Sequence, residues 1–464
     1  MAVRSDQLHS HQFSRRRVAA ALAGRDPAGS PSTGSAAALA GVMVAALALA
    51  AVGVFGLLRP ADDGSWRDGA SVVVERETGA RFVYRDGVLH PVLNYSSALL
   101  ILGSSQPRSS LVARSSLAGV ARGAPLGIPG APDLLPAAGE LLADPWTVCS
   151  RPAGAGVESV LRLGSGPSQR GSRDAGLGDR ALVVADPAGG LHVLWHRHRY
   201  AIRDPDLVLA AFAWPRQSAT ALAPAVLNAV PVGPDLARLA VDGAGRRSVA
   251  LPGRRIADVV VVENSGGGRQ FAVVTAGGLA DVTPVQADLL LAGGRAGAGA
   301  AIRMSQAEYA AAARVPSMVP AGESAPPAET PELAPSTGVV CASFADGGGP
   351  PEITAAPAGS VRRDGELPAP APAPPTSAPV DWLHVPPGGG AVVEALATPG
   401  APNGALSLVT DLGVRFPVPS REVLAMLGYA DVRPQRLPAA VVALLPTGRA
   451  LDPAAAALPV VPGR

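Results

Sequence analysis

Repetition constrains the fold of this chain more than any other feature of its sequence. The segment VLNAVPVGPDL (Val226–Leu236) returns as VVALLPTGRAL (Val441–Leu451), with Val, Pro, Gly and Leu at matching places. Just ahead of these, VLAAFAW (Val208–Trp214) aligns without a gap with VLAMLGY (Val423–Tyr429). Each copy is typical of a helix that ends in a Pro-x-Gly turn.

A second pair of segments repeats in the same way. The run SVVVERETGARFVYRDGVLHPVLNYSSALLILG (Ser71–Gly103) predicts a strand, a turn at Asp86 and Gly87, a further strand and a helix from about Ser96. QFAVVTAGGLADVTPVQADLLLAGG (Gln270–Gly294) follows the same plan. The two kinds of copy alternate, so the chain resembles two similar halves; chance alignment of short apolar runs is the alternative. A hairpin with one helix cannot bury its own apolar face, so such units need a neighbour or a central sheet.

An apolar run near the start predicts a membrane anchor. Ala36–Leu58 carries no charge and exceeds the roughly 20 residues that a helix needs to cross a bilayer. More arginines precede it than follow it, which favours a cytoplasmic N-terminus and an extracytoplasmic bulk. A cleaved signal would have a shorter apolar core. The SRRR at Ser14–Arg17 resembles a twin-arginine signal but lies far from the apolar run. We therefore expect an uncleaved, single-pass anchor.

Charge and composition narrow the function. The chain has 39 basic and 37 acidic residues, a net charge of +2, and this balance does not indicate a nucleic-acid partner. None of the basic residues is lysine. A Walker A loop, whose lysine grips phosphate, is therefore excluded.

The two cysteines occupy equivalent points in the two halves. Cys149 and Cys341 each lie between the first and second copies of their half, on the predicted outer side of the membrane, where disulfides persist. We predict that they form a disulfide; two separately buried thiols are the alternative. The Pro-rich segments SAPPAETPELAPS and LPAPAPAPPTSAP come later in the chain. Their composition predicts extended spacers that pack poorly.

Several segments together resemble a known family. They are the opening SDQLHSHQFSRRRVAAAL, the anchor, DGVLHPVLNYSSALLILG, ARGAPLGIPGAPDLLP (Ala121–Pro136), WTVCSRP, VCASF, VPPGGGAVVEAL and LLPTGRALDPAAA. The chain resembles EccB over nearly its full length. EccB is the single-pass membrane component of type VII secretion machines in actinobacteria. The GIPGAPD run and the paired cysteines are the most specific of these features.

The resemblance implies a fold, a function and partners. The fold would be α+β: a transmembrane helix, then an elongated extracytoplasmic body of four hairpin–helix repeats around a central β-rich domain. A disulfide between Cys149 and Cys341 would hold that domain. The protein would help to export small helical WXG-type proteins as a structural subunit beside EccC, EccD and EccE, with a mycosin protease nearby and further copies of itself in the complex.

The resemblance together with the repeats predicts domain boundaries. They are 1–35 for a cytoplasmic basic helix, 36–58 for the anchor, 59–115, 181–240, 268–315 and 404–464 for repeats 1 to 4, and 116–180, 241–267 and 316–403 for three parts of the central domain, the last with the spacer.

The sequence offers no catalytic constellation that outweighs a structural explanation. Some family members are labelled ATPases, but NSGGGRQ (264–270) and AGGRAGAGAA (292–301) are typical of loops, and neither plainly opens a helix that could hold an anion. His192, His196 and His198 would share one face of a strand, yet they lack the further ligands of a typical zinc site. His90 is expected to be structural. We therefore expect no cofactor, metal or catalytic residue; a nucleotide hydrolase and a stand-alone wall-binding anchor are the alternatives.

Overall fold

The computed structural model describes Arg15, Val18 and residues 39–49, 64–106, 108–143, 145–164, 176–216, 219–293, 299–336, 338–361, 363, 365–369 and 379–460. Residues 39–49 are helical, and the rest of the predicted anchor (36–58) lies outside the described residues. No helix within the described ranges is both long and apolar enough to cross a bilayer. The predicted cytoplasmic helix (1–35) also lies outside them, apart from Arg15 and Val18. The chain from Trp66 onward forms one compact unit.

The chain is a mixture of short helices and several sheets, as predicted. The strands of the first half are β1 (Ser71–Glu75), β2 (Arg81–Arg85), β3 (Val88–Pro91), β4 (Arg108–Val112), β5 (Trp146–Ala153), β6 (Gly156–Arg162), β7 (Leu182–Ala185), β8 (Leu191–Trp195), β9 (His198–Ala201) and β10 (Thr220–Ala221). Those of the second half are β11 (Val259–Glu263), β12 (Arg269–Val274), β13 (Leu279–Val282), β14 (Ile302–Arg303), β15 (Arg314–Val315), β16 (Val339–Phe344), β17 (Glu352–Ala356), β18 (Leu367–Pro368), β19 (Trp382–His384), β20 (Ala391–Leu396), β21 (Ala405–Val409), β22 (Arg415–Pro417) and β23 (Gln435–Pro438). The α-helices are α1 (Tyr95–Leu102), α2 (Arg114–Leu117), α3 (Pro205–Ala211), α4 (Pro224–Ala229), α5 (Pro284–Ala292), α6 (Gln306–Ala311), α7 (Arg421–Met426), α8 (Ala439–Val442) and α9 (Pro453–Ala456).

Four small sheets share one strand order. In each, three antiparallel strands are followed by a helix, and a fourth strand returns parallel to the first. The third sheet has a fifth strand, β15, which pairs parallel with β13. We call the four sheets module 1 (β1–β4 with α1), module 2 (β7–β10 with α3), module 3 (β11–β15 with α5 and α6) and module 4 (β20–β23 with α7). The predicted hairpins and helices are present, whereas the parallel fourth strand was not predicted. β11 and β20, which lie in segments assigned from sequence to the central domain, belong to modules 3 and 4.

The module helices begin in the same way. A polar residue precedes each helix, and its side chain accepts a hydrogen bond from a backbone N–H of the first turn; the four are Asn94, Asp204, Thr283 and Ser420. Such caps satisfy amides that have no partner inside the helix. Short helices of six to nine residues are marginal alone. Their caps and the apolar faces that they bury therefore fix where they form.

A six-stranded sheet, the central sheet, lies among the modules. Its order is β17-β16-β5-β6-β19-β18, and the neighbouring strands β5 and β16 are antiparallel. The hairpin β5–β6 comes from the first half of the chain and β16–β17 from the second. One face carries the largest apolar cluster, to which α4 and α8 also contribute.

The modules pair across the two halves. Helix α1 of module 1 packs against α7 of module 4 and against α9 of the C-terminal segment. Helix α3 of module 2 packs against α5 of module 3. The halves predicted from sequence are therefore interleaved, because module 1 contacts module 4 and module 2 contacts module 3.

One expectation about the Pro-rich segments is wrong. Residues 324–336 are packed rather than loose: Pro326 and Pro327 are buried, and backbone hydrogen bonds join Glu332 and Ala334 to Ala181. These bonds extend the pairing of β7 at its amino end by a parallel bridge between Ala181 and Leu333, which composition alone does not reveal. Most of the other Pro-rich segment, 370–378, lies outside the described residues.

Candidate functional site

The predicted disulfide lies inside the central sheet. Cys149 of β5 and Cys341 of β16 are direct partners in the antiparallel register, and their sulfurs are bonded at 2.07 Å. Both side chains are buried, among Val160, Val339 and Ala356. The bond therefore joins two hairpins that are distant in sequence at the middle of the sheet.

A buried ion network lies on the same face of β5. The Arg151 guanidinium donates through Nη1 and Nη2 to both carboxylate oxygens of Glu366, at 2.8 and 2.6 Å, and through Nε to Glu158 at 2.7 Å. Arg162 reaches Glu366 at 3.2 Å, and the Trp382 indole N–H donates to Glu158 at 2.8 Å. The side chains of Arg151 and Glu366 are only 5% and 2% exposed. These contacts tie β5, β6, β19 and the approach to β18 together.

The network favours the charged forms of Arg151 and Glu158 in spite of their burial. Burial by itself would lower the pKa of Arg151, but hydrogen bonds with Glu366 and Glu158 outweigh it and raise that pKa. Burial would likewise raise the pKa of Glu158, but hydrogen bonds from Arg151 and Trp382 hold it below its ordinary value. Each of these two charges has a hydrogen-bonded partner of opposite sign, and removing one partner of such a buried pair is strongly destabilising. The arrangement therefore holds strands in one register.

The GIPGAPD run (residues 127–133) is hydrogen-bonded to the amino end of α1, and we call the contacts of its last residue the Asp133 clip. The Asp133 carboxylate accepts the Tyr95 backbone N–H at 2.9 Å and receives Arg81 through both oxygens at 2.6 and 2.7 Å. Asn94, the cap of α1, donates to the carbonyl of Ile128 at 2.8 Å. The most specific motif of the sequence thus provides hydrogen-bond partners for polar groups at the amino end of α1, the module 1 helix that packs against module 4.

Close packing of an aromatic ring on a glycine recurs in three modules. A β-carbon on Gly448 would lie 2.3 Å from the Phe416 ring, and one on Gly233 would lie equally close to Tyr200. In module 1 the His90 ring lies against Gly123 in the same way, which gives this histidine a structural position. In each case the glycine N–H donates to the backbone carbonyl of the residue that precedes the ring-bearing residue in the sequence. These segments are the Pro-x-Gly turns and their counterpart in module 1.

The three clustered histidines do not share a strand face. The chain turns at His196 and Arg197, both with positive φ, so His192 lies on β8 and His198 on β9. His192 contacts Asp186 at 3.3 Å, and His196 contacts Asp179 at 2.9 Å and stacks on Trp195. The expectation of a common face was wrong because it assumed a continuous strand. Across the described ranges, no group of three or more His, Cys, Asp or Glu side chains has the geometry to hold a metal ion.

The glycine-rich segment 264–270 is a hairpin turn. Asn264 and Gly268 close it with a backbone hydrogen bond of 2.8 Å between β11 and β12. As predicted, this segment therefore does not begin a helix. In the other segment (292–301), residues 294–298 lie outside the described ranges.

Comparison with known proteins decides the family. The family profile described as "Type VII secretion system ESX-1, transport TM domain B" matches residues 1–461. The chain belongs to the EccB family.

Curated EccB relatives are similar in sequence. The "ESX-2 secretion system ATPase EccB2" of Mycobacterium tuberculosis is 30% identical over 239 residues, which cover 50% of this chain and 47% of the relative. The "ESX-3 secretion system ATPase EccB3" of Mycolicibacterium smegmatis is 32% identical over 300 residues, 61% of this chain and 56% of the relative. The chain thus spans about half the length of the curated relatives that it matches.

Chains of solved ESX complexes share the fold. A chain of "an intact ESX-5 inner membrane complex" superposes with a TM-score of 0.65 and 24% identity, covering 99% of this chain and 96% of that one. The "EccB3 dimer from the ESX-3 core complex" gives 0.62 and 26% identity, covering 84% and 100%. The family resemblance indicated by the GIPGAPD run and the paired cysteines is confirmed.

Proposed function

We propose that this EccB-family chain is a structural subunit of a type VII secretion membrane complex and helps to export small helical WXG-type proteins. The family match over residues 1–461 carries the proposal. The central sheet with its disulfide and buried ion network supports it, because both are means of holding a body in one shape. EccC, EccD and EccE-type subunits, a mycosin protease and further copies of this chain are its proposed partners.

The proposed topology is a single pass with the N-terminus in the cytoplasm. The uncharged run 36–58 and the arginines before it support this orientation. The bulk of the chain, with its disulfide, then lies outside the membrane, where disulfides persist.

We further propose that the four modules are copies of one repeat around a central β-domain, within the boundaries predicted from the sequence except that β11 and β20 join repeats 3 and 4. Their common strand order and helix caps support this. In module 3 the equivalent positions in the backbone pairing are Ala280, where the other modules have a ring, and Val315, where they have a glycine. Module 3 therefore also places a small residue opposite a larger one, but the small and the large residue have exchanged positions.

Nucleotide hydrolysis is the second candidate, because the relatives carry the word ATPase in their names. Turnover of ATP by the purified full-length chain, lost in a point variant that leaves the fold unchanged, would favour it. The absence of lysine argues against the usual phosphate cradle.

An export assay tests the main proposal. A strain that lacks this gene is complemented with the wild-type chain, with Arg151→Met and with Arg303→Met, whose side chain is 82% exposed. We expect export of WXG-type proteins with the wild type and the Arg303 variant, and loss with Arg151→Met. Unchanged export in the strain without the gene would overturn the proposal.

A further inference from the structure

Charge is segregated along a chain that is almost neutral overall. Between residues 238 and 255 there are five arginines and a single acidic residue, Asp242. From residue 315 to residue 361 there is no basic residue, and five are acidic: Glu323, Glu329, Glu332, Asp346 and Glu352. The whole-chain net charge of +2 reveals neither segment, because their charges have opposite signs. Oppositely charged surfaces steer association and fix its register when they face each other across an interface.

The basic segment forms a hairpin that stands on module 3. Gly245 and Ile256 pair through a backbone hydrogen bond of 2.8 Å, and Ser248 Oγ donates to the carbonyl of Thr275 at 3.3 Å. We call residues 245–256 the basic hairpin. Its tip carries Val249, which is 91% exposed.

The arginines of the basic hairpin are crowded and largely free. Arg247 and Arg255 face each other across the hairpin, an arrangement of like charges that destabilises an antiparallel pair. The nearby acidic groups of module 3 are Asp258, which accepts the Arg255 backbone N–H at 2.7 Å, and Glu308, whose pKa is lowered mainly by hydrogen bonds with Ser305 and slightly by Arg254. Arg246 and Arg247 are exposed and form no ion pair with any residue that the structure describes.

The acidic segment is a strap over modules 2 and 3. Residues 323–332, the acidic strap, are held by three contacts: Tyr200 Oη donates to the Ala325 carbonyl at 2.9 Å, and backbone amides of modules 2 and 3 donate to the carbonyls of Ala328 and Glu332. Glu323, Glu329 and Glu332 are exposed and have no ion-pair partner within the described ranges. The strap therefore presents fixed carboxylates to solvent.

We propose that the basic hairpin of one chain docks on the acidic strap of a second copy of the same chain. This inference rests on the proposed function, in which copies meet within one complex. A second copy is favoured over an anionic membrane or another acidic protein because one partner then neutralises both surfaces at once. In a symmetric pair each chain gives its hairpin and receives the other's, so the contact forms twice.

Charge exchange between two populations tests the proposal. One full-length chain carries Arg246→Glu with Arg247→Glu, and a second, differently tagged, carries Glu329→Arg with Glu332→Arg. We expect each alone to self-associate at least about tenfold more weakly than the wild type at low salt, because like charges then face each other. Mixed together, the two variants regain association, since each hairpin again meets a strap of opposite charge.

A crosslink locates the contact. The two cysteines of the chain are bonded to each other, so Val249→Cys with Thr330→Cys adds the only free thiols. Mild oxidation should give a crosslinked dimer. The control is Leu412→Cys with Thr330→Cys, since Leu412 is also an apolar residue, 65% exposed, but lies at the β21–β22 turn of module 4. Only the Val249 pair should react.

Three outcomes would overturn the proposal: self-association unchanged by either reversal, weakening that mixing does not restore, or crosslinking equal to the control. The second would assign the arginines to another partner, such as an anionic lipid surface or a different acidic protein. Recovery of these variants in the secretion complex would leave the proposed function intact in all three cases.

Discussion

Single residues determine how closely neighbouring segments pack within each module. In modules 1, 2 and 4 a glycine leaves room for a ring from the neighbouring strand, whereas module 3 has Val315 and Ala280 at these positions. In modules 2 and 4 the sequence shows this glycine as part of a Pro-x-Gly turn. It does not reveal the ring that fills the space, because the ring is some 30 residues away in sequence and meets the glycine only after the hairpin and helix have folded.

At one such contact, enlarging the glycine and shortening the ring-bearing side chain together should cost less stability than the two separate changes added up. Gly448→Val should lower the free energy of unfolding by about 2–3 kcal/mol, because its side chain would overlap the Phe416 ring. Gly448→Val combined with Phe416→Ala should cost less than the sum of the two single changes by at least about 1 kcal/mol. Urea unfolding of the purified protein measures this. Gly139→Ala, where a methyl group meets open space, is the control, and strict additivity would contradict the proposed packing.

At the scale of elements, loops and strands fix one another through polar groups. The predicted hairpin and helix of module 1 needed only local signals: the turn at Asp86 and Gly87, and the apolar run of α1. Pairing of modules 1 and 4 was not predictable, since it joins opposite ends of the chain. The partnership of Arg151 with Glu366 was missed for the same reason, although a charge at the end of the otherwise uncharged run WTVCSR was a usable signal.

The Asp133 clip should contribute measurably to α1. Asp133→Ala removes both the acceptor for the Tyr95 N–H and the partner of Arg81, so we expect a loss of about 1–2 kcal/mol of stability. Asp133→Asn keeps an acceptor oxygen and should lose less. Thermal unfolding measures both, with the 91%-exposed Asp86→Asn as control. Equal stability of the alanine variant and the wild type would refute the capping role.

The ion network should be intolerant of losing one member. Arg151→Met leaves Glu366 buried without its main partner, and we expect a loss of about 3–5 kcal/mol. Arg303→Met removes an exposed pair and should change stability by less than about 1 kcal/mol. Denaturant titration compares the two variants. If they are equally stable, the network does not hold the central sheet.

At the scale of the whole molecule, the two halves interlock around the central sheet. The disulfide joins residues 192 positions apart, so the chain-entropy model assigns it about 5 kcal/mol of stabilisation. Replacement of both cysteines by alanine should therefore lower the melting temperature strongly while the strand register, held by hydrogen bonds and the ion network, survives. Calorimetry with far-UV circular dichroism tests this, and an unchanged melting temperature would contradict it.

The proposed role of the whole chain is that of a structural subunit in a type VII secretion complex. The most direct measurement is extraction of the tagged protein from its own membranes in mild detergent, followed by a native gel and mass spectrometry. We predict a large species that contains EccC, EccD and EccE-type subunits together with this chain. Recovery of the chain only as a free monomer or homodimer would contradict this role.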